Sequence, residues 1–290
     1  MNRHSSGERL FNVINYILML LLIIAMIYPF WYLIMASLSD PKLTSLGGLY
    51  LWPRGFSWDA YTTVLRDTSF WSGFRVSIIV TIVGTAIGTF LTAMTAYAIS
   101  KKRLEGRMVA SFFILFTMLF NGGLVPNYLL LKELNLLDTL WALILPGTIS
   151  AFNVFVMRSF FVGLPEEVEE AAKIDGANDL AIFFRVVLPL SKAVLATIGL
   201  FMAVMYWNDF FSTILYINSK DKWQLQAVLR NLIDHAVQSS INGPNGDQIQ
   251  VSAFTVRAAS ILLATLPILL LYPFLQKHFV KGAMIGSIKG

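Results

Sequence analysis

Six long apolar runs constrain this chain more than any other feature: residues 13–37, 76–99, 108–131, 140–157, 193–217 and 258–280. About 20 mainly apolar residues in a helix cross the roughly 30 Å of a bilayer's hydrocarbon core. Inside lipid the backbone must satisfy its own polar groups, and a helix does so. The expected fold is therefore an all-α integral membrane protein, a single domain of six transmembrane helices. Composition agrees, since only 13% of residues are charged, about half the share in soluble domains. The mean hydropathy is +0.66.

The first run follows Arg3, His4 and Arg9 and resembles a signal peptide at first sight. It is too long for a signal h-region and lacks a small-residue cleavage site, so a retained span is expected. The third run is interrupted by Asn121-Gly122-Gly123 and by Pro126. Such a break is tolerated only where protein or a water-filled cavity satisfies the freed backbone.

Orientation is read from Lys and Arg. With the N-terminus inside, the cytoplasmic segments are 1–12, 101–107, 158–192 and 277–290, and they carry more Lys and Arg per residue than 38–75, 132–139 and 218–257. Lys101-Lys102-Arg103 with Arg107 is the strongest element of that bias. Both termini are then cytoplasmic. The net charge of +5 flanks the spans rather than forming a stripe, so no nucleic-acid partner is expected. With no cysteine, disulfides, thiolate zinc sites and cysteine nucleophiles are excluded.

Between the fourth and fifth runs lies a compact charged island. Glu166, Glu167, Glu169 and Glu170 are four of the 17 acidic residues of the chain. Pro165 suits a first helical position, and the first-turn glutamates suit the helix dipole. Leu164, Val168 and Ala171 recur at helical spacing. Gly176 suits a left-handed stop after Asp175. Asn178 or Asp179 can cap a second short helix through Arg185, closed by Pro189. Two short helices joined by a glycine turn are expected. A helix lying on the membrane usually presents Lys and Arg to headgroups, whereas this one presents Glu, which favours docking to a cytoplasmic partner.

The run Glu170-Ala171-Ala172, Asp175-Gly176-Ala177 and Leu188-Pro189 resembles the EAA loop of ABC importer permeases, with Val187 where isoleucine is usual. Trp207-Asn208-Asp209-Phe210 is similar to a signature of sugar permeases. The tail Lys281 to Gly290 resembles that of the maltose-type second permease. Asn121-Gly-Gly-Leu-Val-Pro126 resembles a subgroup handling complex oligosaccharides and polysaccharide fragments. The resemblance implies the type I ABC importer permease fold, with a coupling loop over 163–190. It implies docking of an ATPase through Glu169, Glu170, Ala171, Ala172, Asp175, Gly176, Ala177, Leu188 and Pro189. Its implied partners are a second permease subunit, a dimer of cytoplasmic ABC ATPases and an extracytoplasmic sugar-binding protein contacting 218–257. Gln224, Gln226, Asn231 and the Asn242–Asn245 tip of that segment suit such contact or a plain connector equally.

No phosphate-binding glycine loop is present, so no cofactor and no catalytic residue are expected here. ATP and Mg would be bound by the partner ATPase. Gly84 and Gly88, four apart in an apolar run, suit close helix packing. Asp209 is costly in lipid and should face a cavity or partner. With Tyr206, Trp207 and Asn208 it suits sugar, as aromatic faces stack on pyranoses and amides bind hydroxyls. Water exposure explains Asp209 equally, and interface anchoring suits Tyr206 and Trp207 better. Asn121 and Asn153 are further pathway candidates, with interhelical hydrogen bonding their default role. The rival readings are an ion-coupled carrier, an ABC permease for a non-sugar solute, and a membrane scaffold.

Overall fold

The computed structural model describes residues 6–44, 50–242 and 254–270. The expected features in 271–290, including the glycine-rich tail, and in 243–253 lie outside them. Thirteen principal helices are described: α1 (Ser6–Ser37), α2 (Asp59–Arg66), α3 (Thr68–Ser100), α4 (Arg107–Leu119), α5 (Leu124–Glu133), α6 (Leu140–Gly147), α7 (Ala151–Val162), α8 (Glu166–Ile174), α9 (Asp179–Leu190), α10 (Lys192–Asn208), α11 (Phe211–Tyr216), α12 (Leu225–Asn242) and α13 (Phe254–Leu270). Two of these, α1 and α3, are each long and apolar enough to cross a membrane, and up to five spans result if each bent pair counts as one.

The bends have local causes. Helices α4 and α5 meet at 115°, where Gly123 takes φ +87° and Asn121 Oδ1 accepts its N–H at 2.9 Å. The break expected there is this turn. Helices α6 and α7 meet at 50° across residues 148–150, just after the 3₁₀ turn that holds Pro146 and Gly147, a bend the apolar pattern over 140–157 did not announce. Helix α10 ends at Asn208 instead of running to residue 217. Asp209 turns the chain out of the helix, and α11 follows.

The chain forms two compact units. The first holds residues up to Thr68 together with Leu229–Thr265. Here the segment after α1 folds back on that helix. Trp31 donates to the Leu51 carbonyl at 3.1 Å, and the Ser37 and Tyr61 hydroxyls share a 2.8 Å hydrogen bond. Tyr50 is buried, donates to the Thr44 carbonyl at 2.7 Å and meets Tyr32 edge-on at 5.2 Å.

The second unit holds Ser69–Val228 and the end of α13. Its core joins Val76, Val80 and Ala93 of α3 with Val154 and Met157 of α7, Ile182 and Phe183 of α9, and Ile198, Met202 and Tyr206 of α10. Gly84 and Gly88 permit that closeness. A Cβ on Gly84 would stand 2.6 Å from the Tyr206 ring, and one on Gly88 would stand 2.8 Å from Met202 Sδ. Close packing is what small residues four apart on a membrane helix allow.

Freed backbone groups are met by side chains. The Tyr206 hydroxyl donates to the Ile144 carbonyl at 2.8 Å, near Pro146. Where α10 stops, the Tyr206 carbonyl accepts from Gln224 Nε2 at 2.9 Å. Gln224 Oε1 in turn accepts from the Thr213 hydroxyl at 3.0 Å. Gln224 is fully buried, so this residue of 218–257 stitches the interior rather than offering a surface. An unmet buried carbonyl costs about 1–3 kcal/mol, which is why an amide belongs there.

Asp138 organises the turn before α6. Its carboxylate accepts from the Ser219 backbone at 2.9 Å, the Ser219 hydroxyl at 2.7 Å and Lys222 Nζ at 3.0 Å. These bonds, the Ser219 hydroxyl first, hold its carboxyl well below the ordinary carboxylate range. A depressed folded value means that the latch contributes at neutral pH and is lost as pH falls below the unfolded aspartate value of about 3.9. Asp138→Asn is expected to lower the thermal midpoint of the purified protein at pH 7. The gap to wild type should narrow as pH drops below about 4. Equal midpoints at pH 7 would refute the latch.

Candidate coupling surface and pathway residues

The charged island folds as a helix, a tight turn and a second helix. Pro165, with φ −59° and ψ 124°, stands as the N-cap, one residue ahead of the position expected, and α8 starts at Glu166. Glu166, Glu167 and Glu169 lie in the first turn and Lys173 in the last, each sign at the dipole end that favours it. The helix stops in a Schellman motif. Gly176 takes φ +81° and donates to the Lys173 carbonyl at 2.9 Å, while Ala177 donates to the Ala172 carbonyl at 3.0 Å. Ala172 and Ala177 pack on the hydrophobic core, the apolar contact that accompanies this stop.

Asn178 caps the second helix, accepting from the Ala181 N–H at 2.8 Å. This helix does not end near Arg185. It widens into a π turn over Phe183–Val187, with Leu188 donating to the Phe183 carbonyl, and carries on through Pro189 to Leu190. The wide turn accommodates a proline that would otherwise break the i to i−4 ladder. Val187 is buried and Leu188 packs on the core, while Pro189 is exposed.

The outer face is mixed in chemistry. Glu170, Ala171, Asp175 and Gly176 are exposed. Ile174 is 87% and Leu180 61% exposed. On α8, the exposed apolar Ile174 lies one helical turn from Glu170 and Ala171, an apolar anchor with an acidic neighbour. Core apolar anchors and polar rims are the anatomy of protein interfaces.

Glu169 points the other way. It pairs with Lys101, and both side chains are mostly buried. Lys102 pairs with Glu166 at 3.4 Å and Arg103 pairs with Asp179. Arg158 of α7 donates to the Ile99 carbonyl at 3.2 Å. Lys101 Nζ also lies 4.4 Å from the centre of the Tyr97 ring. Sequence reasoning assigned the basic triplet to orientation alone. The available signal was a run of three cations on the same predicted side as a run of acids.

The pathway candidates are dispersed in role. Tyr206 is buried and spent on the Ile144 carbonyl. Trp207 is buried and meets Phe74 edge-on at 6.0 Å. Exposed Asn208 bonds back to the Val204 carbonyl at 2.9 Å. Asp209 is half-buried, and its carboxylate accepts from the Ser212 N–H in the first turn of α11 at 3.1 Å. Asn153 is buried on α7, and Asn121 is exposed in the α4–α5 turn. Only the 206–209 group is drawn together, and by chain adjacency.

A family described as the binding-protein-dependent transport system inner membrane component matches residues 106–284. Among curated relatives, the polygalacturonan/rhamnogalacturonan transport system permease protein YtcP of Bacillus subtilis (strain 168) is 43% identical, over 98% of this chain and 99% of that protein. Protein LplC of the same organism is 44% identical over 99% of this chain and 97% of its own length. A solved structure, that of a bacterial ABC transporter importing the acidic polysaccharide alginate, matches with a TM-score of 0.87 at 33% identity. That match covers 96% of this chain and 100% of the other.

Proposed function

The chain belongs to the binding-protein-dependent transport system inner membrane components, and from that premise we propose that it is a permease subunit of an ATP-driven importer of polysaccharide-derived oligosaccharides. The observation that carries the reading is the helix–turn–helix of α8 and α9. It presents Glu170, Ala171, Ile174 and Leu180 outward while Ala172, Ala177 and Leu188 anchor it to the core. That is the form of an element gripped from outside the membrane. The cargo class is inferred from what the relatives are named for.

In this reading an extracytoplasmic binding protein delivers the oligosaccharide. A pair of ATPase subunits closes on ATP and displaces the α8–α9 loop. The helices packed on it then exchange an inward-facing for an outward-facing arrangement, and hydrolysis resets them. Each ligand acts by binding one state better than the other. A second permease completes the pathway. Both termini are cytoplasmic, which places the loop and the ATPase on one side. Asp209, Asn208 and Asn121 border the sugar path. The chain itself does no covalent chemistry.

Affinity purification of the tagged chain from its native membrane, followed by mass spectrometry, tests the reading. Recovery of a second permease and an ABC ATPase in stoichiometric amounts is the expected result. A chain that purifies alone, and transports when reconstituted alone without ATP, overturns it.

A further inference from the structure

Three consecutive cations, Lys101, Lys102 and Arg103, follow the end of α3 at Ser100. Each holds a different acid of the loop: Glu169 and Glu166 on α8 and Asp179 on α9. The grip spans both sides of the Gly176 turn, so the two helices cannot move as a unit without dragging the triplet. The pairs differ in setting. Lys102 and Glu166 are exposed to water, whereas Lys101 and Glu169 keep 20% and 13% of their side-chain surface. Burial shields the second pair from salt, and exposed pairs couple weakly.

A cavity of about 500 Å³ lies beside the triplet and α9, lined by Met94, Tyr97, Leu104, Leu180 and Phe183. Lys101, Arg103 and Asp179 stand among its walls. Beside it Tyr97 of α3 and Phe183 of α9 pack with ring centres 5.2 Å apart, and the Arg103–Asp179 pair adds a charged link between the end of α3 and α9. A close-packed contact resists deformation, so the ring contact couples α9 to α3, and the pairs of Lys101 and Lys102 extend that link to α8. Helix α3 carries Gly84 and Gly88 at its contact with α10. A pull on its end is therefore passed to the place where Tyr206 and Met202 press on those glycines.

We propose that Lys101-Lys102-Arg103 is a clamp that passes displacement of the α8–α9 loop to α3, with Lys101–Glu169 as its principal bond. The three cations are positioning residues, and the proposal rests on the importer reading. It separates the neighbouring glutamates by role: Glu170 faces the partner, and Glu169 holds the loop to the chain's own helix.

The test uses the assembled complex in proteoliposomes and reads oligosaccharide imported per ATP hydrolysed. A merely structural role would scale assembly, hydrolysis and uptake together and leave that ratio alone. Lys101→Glu should lower the ratio about fivefold or more, and Lys101→Glu with Glu169→Lys should restore it. A wild-type ratio in the single variant, or no restoration in an assembled double variant, overturns the clamp. Because the chain has no cysteine, Lys101→Cys with Glu169→Cys offers a second route that avoids charge reversal. Bridging the two thiols with a cleavable methanethiosulfonate linker should raise the ratio, and cleaving it should lower it again. Equal ratios in both states refute the clamp. A wild-type complex with no ATP-driven uptake refutes the importer reading instead.

Discussion

Gly176→Pro should reduce oligosaccharide uptake to background while the permease still inserts and assembles. Gly176 sits at φ +81°, and proline is confined near −65°. The substitution also removes the N–H that reaches the Lys173 carbonyl at 2.9 Å. Nothing lies within 4 Å of where a Cβ would stand, so the fault is purely one of backbone. The loss of about 3 kcal/mol or more falls on the Schellman stop, and α8 can no longer turn into α9. The core beneath the loop is built from other residues and stays packed. Gly176→Ala meets only the left-handed penalty, roughly 1–2 kcal/mol, and should keep a measurable share of uptake. Glu170→Lys, which reverses an exposed charge without touching the backbone, should uncouple hydrolysis from uptake as well. Uptake and ATP hydrolysis in proteoliposomes, beside an immunoblot of the membrane fraction, check all three. Wild-type transport by the proline and lysine variants would remove the loop from the coupling path.

Gly84→Leu should sharply lower the yield and thermal midpoint of folded permease. The Tyr206 ring lies 2.6 Å from the position of the first added carbon. It cannot retreat, because its hydroxyl is bonded to the Ile144 carbonyl and Gly147 closes on its other edge. Overpacking of this kind costs about 1–3 kcal/mol, occasionally more. A four-carbon side chain against a pinned ring belongs at or above the top of that range. Gly199→Ala is the matched control. Its Cβ would stand 3.6 Å from Thr89 Oγ1, an ordinary contact, and its effect should stay within roughly 0.5 kcal/mol. The amount of monodisperse protein in detergent and its thermal midpoint read both. A stable Gly84→Leu variant would show that α3 and α10 are not held as close as described.

Much of the coupling loop was legible in the sequence because its signals are local. A proline, three glutamates, a glycine eleven residues on and a capping asparagine each act on their neighbours. The structure places the α8 start and the Gly176 turn within a residue of expectation. The expected end near Arg185 misled, since the helix runs on through a π turn and stops at Leu190, one residue after Pro189. The straight run expected over 140–157 misled for a related reason. Hydropathy reports how apolar a segment is and is blind to whether it bends after Pro146-Gly147.

Long-range partners left no such trace. Lys101 and Glu169 are 68 residues apart, and no periodicity relates them. Gln224 reads as a loop residue, yet it is buried because α10 happens to stop where its amide can reach the Tyr206 carbonyl. Tyr206 reads as a sugar-stacking ring or an interface anchor, and it fills the space that Gly84 and Gly147 leave. By itself, then, the sequence determined the all-helical, apolar character of the chain, the charged loop and the glycine turn at its tip. Hydrophobicity, helix caps and positive φ are properties of a few adjacent residues. Only the tertiary structure decided which acid each cation of the triplet holds, which polar side chains repair the helix breaks, and which of two adjacent glutamates faces out. Those choices depend on distances set when remote helices pack, and chain order does not carry them.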